Sequence, residues 1–209
     1  MLHTEAVEAS TLELIKPLQS KPYLKGFYLV GGTALALHMG HRRSIDINLF
    51  SNFDFNAAEL IEQISQDYPY QLVHTSSNTI KGSIGIINVD ILAHRYKLLR
   101  EPEMVLAAML LSLPDIIAMK LNAISMSGQR SKDFVDIYYL LNSYTLGNML
   151  EFYQEKYEQQ NRAFVLKSLI YFDDVDLSDW PALIENPKLK WIDIKSRIEK
   201  LVIRYSRKA

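Results

Sequence analysis

Leu29-Val30-Gly31-Gly32-Thr33-Ala34-Leu35-Ala36-Leu37-His38-Met39-Gly40-His41-Arg42-Arg43-Ser44-Ile45-Asp46-Ile47-Asn48-Leu49 is the stretch that decides the fold. The apolar run Phe27–Val30 reads as a buried strand. Gly31-Gly32 turns the chain, and residues 33–39 read as a short helix with Gly40 as its C′ residue. His41–Ser44 is a polar loop. Ile45, Ile47 and Leu49 then alternate with Asp46, Asn48 and Phe50, the period of a second strand. Glycines let a backbone approach a phosphate, and a helix N-terminus offers free N–H groups and partial positive charge. Taken alone, the turn reads equally as a tight connection with no ligand.

Working outward, Ser10 with Glu13 forms a capping-box pattern for a helix over 11–20, which Pro17 is expected to end early. Asn56 is placed to cap a helix over 57–67. Strand-rich sequence follows at 70–74, 79–81 and 84–92, with Gly82 and Gly85 marking turns or bulges. Residues 104–110 fit strand or helix, with a short strand favoured at their start. From Ser112 the character changes. Pro114 and Asp115 open a helix to about Ser127, ended by Gly128. A second helix covers 131–142, with Phe134, Ile137, Tyr138 and Leu141 on one face. Two more are expected near 146–158 and 161–171. Asp173, Asp174, Asp176 and Asp179 form an acidic loop. Trp191, Ile194, Ile198, Leu201, Val202 and Tyr205 define a last amphipathic helix. The expected class is α+β: a mixed-sheet domain over residues 1–111, followed by a helical bundle over 112–209.

The composition bounds the function. The 209 residues carry 23 Lys/Arg against 24 Asp/Glu, which excludes a uniformly basic nucleic-acid binder. A 48% hydrophobic share and 22% charged residues describe a globular chain rather than a disordered one. With no cysteine, disulfides, thiolate metal sites and a cysteine nucleophile are excluded. The first ten residues hold Glu5 and Glu8 and do not read as a signal peptide. The longest apolar stretch, 104–113, falls short of a membrane span. A soluble, cytoplasmic protein is expected.

Side chains alternate along a strand, so Asp46 and Asn48 share a face. Asp90 interrupts the apolar run Asn88-Val89-Asp90-Ile91-Leu92. An acid on a strand built for burial is costly unless paired, hydrogen-bonded or metal-bound. Neighbouring strands would bring Asp46, Asn48 and Asp90 together beside the glycine turn, an arrangement suited to Mg2+ (or Mn2+) bridging a nucleoside triphosphate. His74 and His94 lack metal-ligand spacing, and the acidic loop lacks the pattern of a calcium loop.

Two blocks resemble a known family. Gly31–Leu37 with Gly40–Phe50 is similar to the signature of the AbiEii/AbiGii nucleotidyltransferase-like toxins, within the DNA polymerase β-like nucleotidyltransferase superfamily. Asp115–Ile124, followed by Arg130-Ser131-Lys132-Asp133-Phe134-Val135-Asp136, is similar to that family's second signature. The resemblance covers roughly residues 25–142. It implies that Gly31, Gly32 and Thr33 hold the triphosphate and that Arg42 and Ser44 belong to the loop before the metal strand. Asp46 would ligate metal, with Asp90 as the third carboxylate by placement. It also implies that Lys120 contacts phosphates and that Asp133 and Asp136 are the acidic pair, Asp133 orienting or deprotonating the acceptor. From the residues alone, Lys120 also reads as a snorkelling lysine, and the acidic pair as partners of Arg130 and Lys132. The sequence departs from the family at one point, carrying Asp46-Ile47-Asn48 where Asp-x-Asp is usual. Three readings of that change stand: one tightly held metal, compensation by Asp54 or by a residue of the second half, or a degenerate site that binds nucleotide without turnover.

The resemblance thus implies a nucleotidyltransferase that moves a nucleoside monophosphate from Mg-NTP to an acceptor hydroxyl. It would be the toxin of a bacterial toxin–antitoxin or phage-resistance system, with a cognate antitoxin. GTP is a candidate nucleotide and the tRNA 3′ end a candidate acceptor. A small-molecule acceptor is a third option, against which the second block argues. The neutral total also hides a split. Residues 188–209 hold eight Lys/Arg against two Asp/Glu, an excess of +6, leaving −7 for residues 1–187. The basic terminal helix reads either as an RNA-facing surface or as a face docking on the acidic loop.

Overall fold

The computed structural model describes residues 2–207, so Met1 and Lys208, both used in the sequence reading, lie outside the described residues. The chain divides after Ser112 into two compact units.

The first unit is built on a seven-stranded mixed sheet. Its strands are β1 (Tyr28–Val30), β2 (Ile47–Ser51), β3 (Tyr70–Ser76), β4 (Thr79–Ile84), β5 (Ile87–Ala93), β6 (Glu103–Val105) and β7 (Ala108–Leu110). Their order across the sheet is β3-β4-β5-β2-β1-β7-β6. β2 runs parallel to β5 and antiparallel to β1, and β7 runs parallel to β1. Three helices accompany the sheet: α1 (Ala9–Gln19), α2 (Gly31–Met39), which packs on β1 and β2, and α3 (Ala57–Asp67), which packs on β3 and β4. The alternation read in the sequence separates the two faces. Ile47, Leu49, Ile80, Val89 and Ile91 are fully buried, while Asn48, Phe50 and Asp90 on the other face are half-buried.

Several elements differ from their sequence readings for local reasons. α1 is entered from Glu8 rather than Ser10 and runs two residues past Pro17. A proline this close to a helix end removes one hydrogen bond without stopping the chain. Gly82 marks a bulge rather than a turn: it lies inside β4 where the register with β3 shifts between Leu72 and His74, and a Cβ there would stand 2.6 Å from the Tyr70 ring and 2.4 Å from the Gln71 carbonyl. The turn falls at Gly85, whose φ is +61°. Residues 103–110 form a hairpin instead of one strand, with Leu106 and Ala107 both at positive φ in its tip. β2 begins at Ile47, so Asp46 stands immediately before it. The Asn56 cap is as read, accepting from the backbone N–H of Ala58 at 3.1 Å and Glu59 at 3.4 Å.

The second unit contains α4 (Leu113–Met126), α5 (Ser131–Leu140), α6 (Leu146–Tyr157), α7 (Arg162–Leu169) and α8 (Trp191–Ser206). α4 is central, packing on α5, α6 and α7, which is why its sequence is apolar nearly all round. α5 packs on both α4 and α8, so it buries Val135, Tyr139 and Leu140 as well as Phe134 and Ile137, while Tyr138 is left half-buried. Phe134, Phe172 and Trp191 meet edge-on or tilted at 5.5–5.6 Å between ring centroids. None of the described helices is long and apolar enough to cross a membrane.

Candidate active site

The glycine pair has a separate physical reason at each position. Gly31 has φ +72°, a conformation that residues with a Cβ rarely adopt. Gly32 is confined by its neighbour: a Cβ there would lie 2.7 Å from the Arg42 guanidinium. Together they start α2 directly from β1, with no side chain capping its first turn. Its leading N–H groups are therefore left for an anion. Arg42 is only 3% exposed and donates to the Arg43 carbonyl at 3.1 Å, adding a buried positive charge beside that helix end.

The loop between α2 and β2 is pinned from several sides. The Ser44 N–H donates to the Ala6 carbonyl at 2.9 Å, and the Thr11 hydroxyl to the Ile45 carbonyl at 2.8 Å. Thr33 is fully buried, with its hydroxyl hydrogen-bonded to the Asp46 carbonyl and lying 2.9 Å from the Ser44 hydroxyl. Thr33 and Ser44 thus fix the backbone that carries Asp46.

The sheet register joins the predicted polar groups. Asn48 on β2 stands opposite Asp90 on β5 in the parallel ladder, and opposite Val30 on β1, immediately before the glycine turn. The Asp46 carboxylate accepts from the Asn88 amide at 3.0 Å. Asp46, Asn48 and Asp90 therefore lie on the half-exposed face beside the N-terminus of α2. Asn88 was missed in the sequence, although Asn88-Val89-Asp90 mirrors Asp46-Ile47-Asn48 across the ladder. Asp54 is placed elsewhere. It follows the far end of β2 and pairs with Arg95 at 3.2 Å, so it does not compensate for Asn48. Burial, with a smaller contribution from the Asp90 charge, pushes the Tyr70 hydroxyl above the usual phenol range; it donates to the Val89 carbonyl at 2.9 Å.

The residues present fit a hard cation. Two carboxylates and one amide oxygen suit Mg2+, which takes few protein ligands and leaves positions for water and phosphate. Among the described residues no three His, Cys, Asp or Glu side chains gather as a metal cage, so phosphate oxygens would have to complete the coordination.

The second signature lies in the second unit and is strongly paired. The Lys120 ammonium on α4 stands 2.6 Å from Asp133 and 2.7 Å from Asp136, which sit one turn apart on α5. The partner of the acidic pair is thus Lys120, whereas Lys132 reaches Asp179 in the acidic loop at 2.6 Å. A further buried pair, Lys156–Asp115 at 2.6 Å, joins α6 to α4 and had no signal in the sequence. The basic α8 is partly committed to structure. Arg197 lies over the Tyr138 ring and donates to the Tyr138 and Leu141 carbonyls at the end of α5, while Lys195 sits 5.1 Å from the Phe172 ring centroid. Lys200, Arg204 and Arg207 stay exposed.

A family model described as nucleotidyl transferase AbiEii toxin, type IV TA system, matches residues 83–202. An uncharacterized protein of Aquifex aeolicus is 30% identical over 168 residues, covering 78% of this chain and 81% of its own length. Among solved structures, the chain is similar to MenT4, a nucleotidyltransferase toxin of Mycobacterium tuberculosis H37Rv. The TM-score is 0.62 at 12% identity, with 93% of this chain and 80% of that one covered. It is also similar to JHP933 of Helicobacter pylori, with a TM-score of 0.53 at 15% identity and 97% and 94% covered. At such identities the structural likeness speaks to the fold, the expected mixed-sheet nucleotidyltransferase architecture.

Proposed function

The chain belongs to the AbiEii nucleotidyl transferase toxin family of type IV toxin–antitoxin systems, and we propose that it transfers a nucleoside monophosphate from a metal-bound NTP to an acceptor hydroxyl. The observation that carries this reading is the register of Asn48 with Asp90 beside the uncapped N-terminus of α2, with Asp46 on the same face. Gly31, Gly32 and Arg42 receive the β- and γ-phosphates through backbone N–H groups and the guanidinium. Thr33 and Ser44 hold Asp46 in place. Asp46, Asn48 and Asp90 would hold Mg2+ or Mn2+, which supplies charge neutralisation at the phosphate oxygens when bound. Lys120 is held by Asp133 and Asp136 within the second unit.

The acceptor oxygen forms its bond to the α-phosphorus as the bond to the bridging oxygen breaks. The electron pair leaves with pyrophosphate, and the hydroxyl proton passes to Asp90. RNA, including the 3′ end of tRNA, is the acceptor class we favour, with GTP among the candidate donors, in the cytoplasm and under control of a cognate antitoxin. The exposed cations of α8 support an RNA partner.

The test is incubation with each of the four α-labelled NTPs, Mg2+ or Mn2+, and total RNA. Label in RNA is expected. No transfer to RNA, protein or small molecules, by the native chain or by Asn48→Asp, overturns the proposal. Asn48 favours one second reading, a nucleotide-binding module without turnover. Activity that appears only in Asn48→Asp supports it, and activity in the native chain rejects it.

A further inference from the structure

The polar row on the sheet continues past Asp90. In the antiparallel ladder of β4 with β5, Lys81 stands opposite Asp90, and on β3 His74 stands opposite Lys81. Directly opposed residues project to the same face with Cβ atoms about 4.5–5.5 Å apart. From the glycine turn outward, the row therefore runs Val30, Asn48, Asp90, Lys81, His74. Lys81 is exposed.

Two arguments give this lysine a place in the reaction. The first is direction. The phosphate-receiving elements, the α2 N-terminus and Arg42, lie on the β1 side of Asn48. An in-line displacement places the incoming oxygen opposite the leaving one. The acceptor must then approach from the β4 side of Asp90, where Lys81 stands. The second is charge. Two divalent ions are commonly bridged by carboxylates, but here the middle ligand is a neutral amide. No third acid joins Asp46 and Asp90 among the described residues, and Asp54 is tied to Arg95. The face thus offers two carboxylates and one amide, fewer acids than two divalent ions are commonly given, with Lys81 at the next register position beside Asp90.

We propose that the site works with one divalent ion, and that the Lys81 ammonium serves as the second positive charge, meeting the acceptor oxygen as it attacks. This rests on the nucleotidyl-transfer reading above. As the new oxygen–phosphorus bond forms and pyrophosphate departs, Asp90 takes the hydroxyl proton. Lys81 keeps its own protons and stabilises the negative charge developing on the acceptor oxygen.

The experiment uses the full chain. Mn2+ is titrated by electron paramagnetic resonance with and without the α,β-methylene analogues of ATP and GTP, and turnover is measured in parallel. One bound Mn2+ per chain is expected for the native protein, and two for Asn48→Asp. Lys81→Ala is expected to lower turnover about a hundredfold while leaving affinity for the Mn2+–analogue complex within about twofold; Lys81→Arg is expected to recover most of the loss. In the Asn48→Asp background the loss from Lys81→Ala is expected to shrink. Two Mn2+ in the native chain, full turnover in Lys81→Ala, or a nucleotide affinity that collapses with Lys81 each overturn the inference and leave the transferase reading standing. A native chain that binds no Mn2+–analogue complex overturns both.

Discussion

Asp46 and Asp90 in the first unit, and Asp115, Asp133 and Asp136 in the second, are the same side chain in opposite circumstances. The first two are half-exposed on a sheet face, and Asp46 accepts from a neutral amide. The other three are buried, each with a lysine ammonium at 2.6–2.7 Å. A buried carboxylate must be matched inside the protein, because the loss of hydration is too large to leave open. A half-exposed one keeps part of its hydration and can exchange it for a metal ion. The charge of the second group is therefore tied to the structure of its unit, while the first group keeps contact with solvent. Substitutions should separate the two groups.

The largest expected effect falls on the buried side. Lys156→Met strands the Asp115 carboxylate and is expected to cost about 3–5 kcal/mol in urea unfolding. Asp115→Leu with Lys156→Met, which removes both charges, is expected to return most of that stability. A double variant as unstable as the single one would break the comparison. Next comes the open side. Asp46→Asn or Asp90→Asn is expected to cut nucleotidyl transfer about a thousandfold, equivalent to about 4 kcal/mol, with the melting midpoint of Asp46→Asn unchanged or raised.

The glycines give a smaller contrast. Gly32→Ala pushes a methyl group against the buried Arg42 guanidinium and is expected to cost about 1–3 kcal/mol. Gly147→Ala in the first turn of α6 meets the Tyr205 ring at 3.6 Å and the Thr145 hydroxyl at 3.7 Å, both ordinary contacts. It is expected to be neutral or to stabilise by up to about 1 kcal/mol. Denaturant midpoints of the two variants check both. The smallest effect is on the surface: Lys132→Ala removes an ion pair whose Asp179 partner is 70% exposed, with an expected loss below about 1 kcal/mol that fades in salt.

The same division explains how much the sequence revealed. The glycine turn, the Gly40 helix end, the Asn56 cap and the alternation through β2 were legible because each depends on residues a few positions apart. Asp46, Asn48 and Asp90 were legible as odd polar residues in apolar strands. The Lys156–Asp115 pair was not, because its members are 41 residues apart and each alone looks like an ordinary helix-surface charge. Asp133 and Asp136 were noticed, with Arg130 and Lys132 as one reading of their partners, because the packing of α4 on α5 that brings Lys120 to them has no local signal. Lys81 required the strand register, and Gly82 required knowing that the Tyr70 ring crosses it.

On the proposed function, the acids of the sheet face hold a metal–nucleotide complex, whereas those of the helical unit hold the fold. Thermal melting of the native chain, Asp46→Asn and Asp136→Asn, with and without Mg2+–NTP at about a hundred times its dissociation constant, tests it most directly. The native midpoint is expected to rise by about 5–10 °C, reflecting roughly 2.7 kcal/mol of linked binding. Asp46→Asn is expected to melt like the native chain without ligand and to show no rise with it. Asp136→Asn is expected to melt lower in both conditions. An equal rise in native and Asp46→Asn, or no rise in the native chain with any of the four nucleotides, would overturn the proposed role of the sheet-face acids.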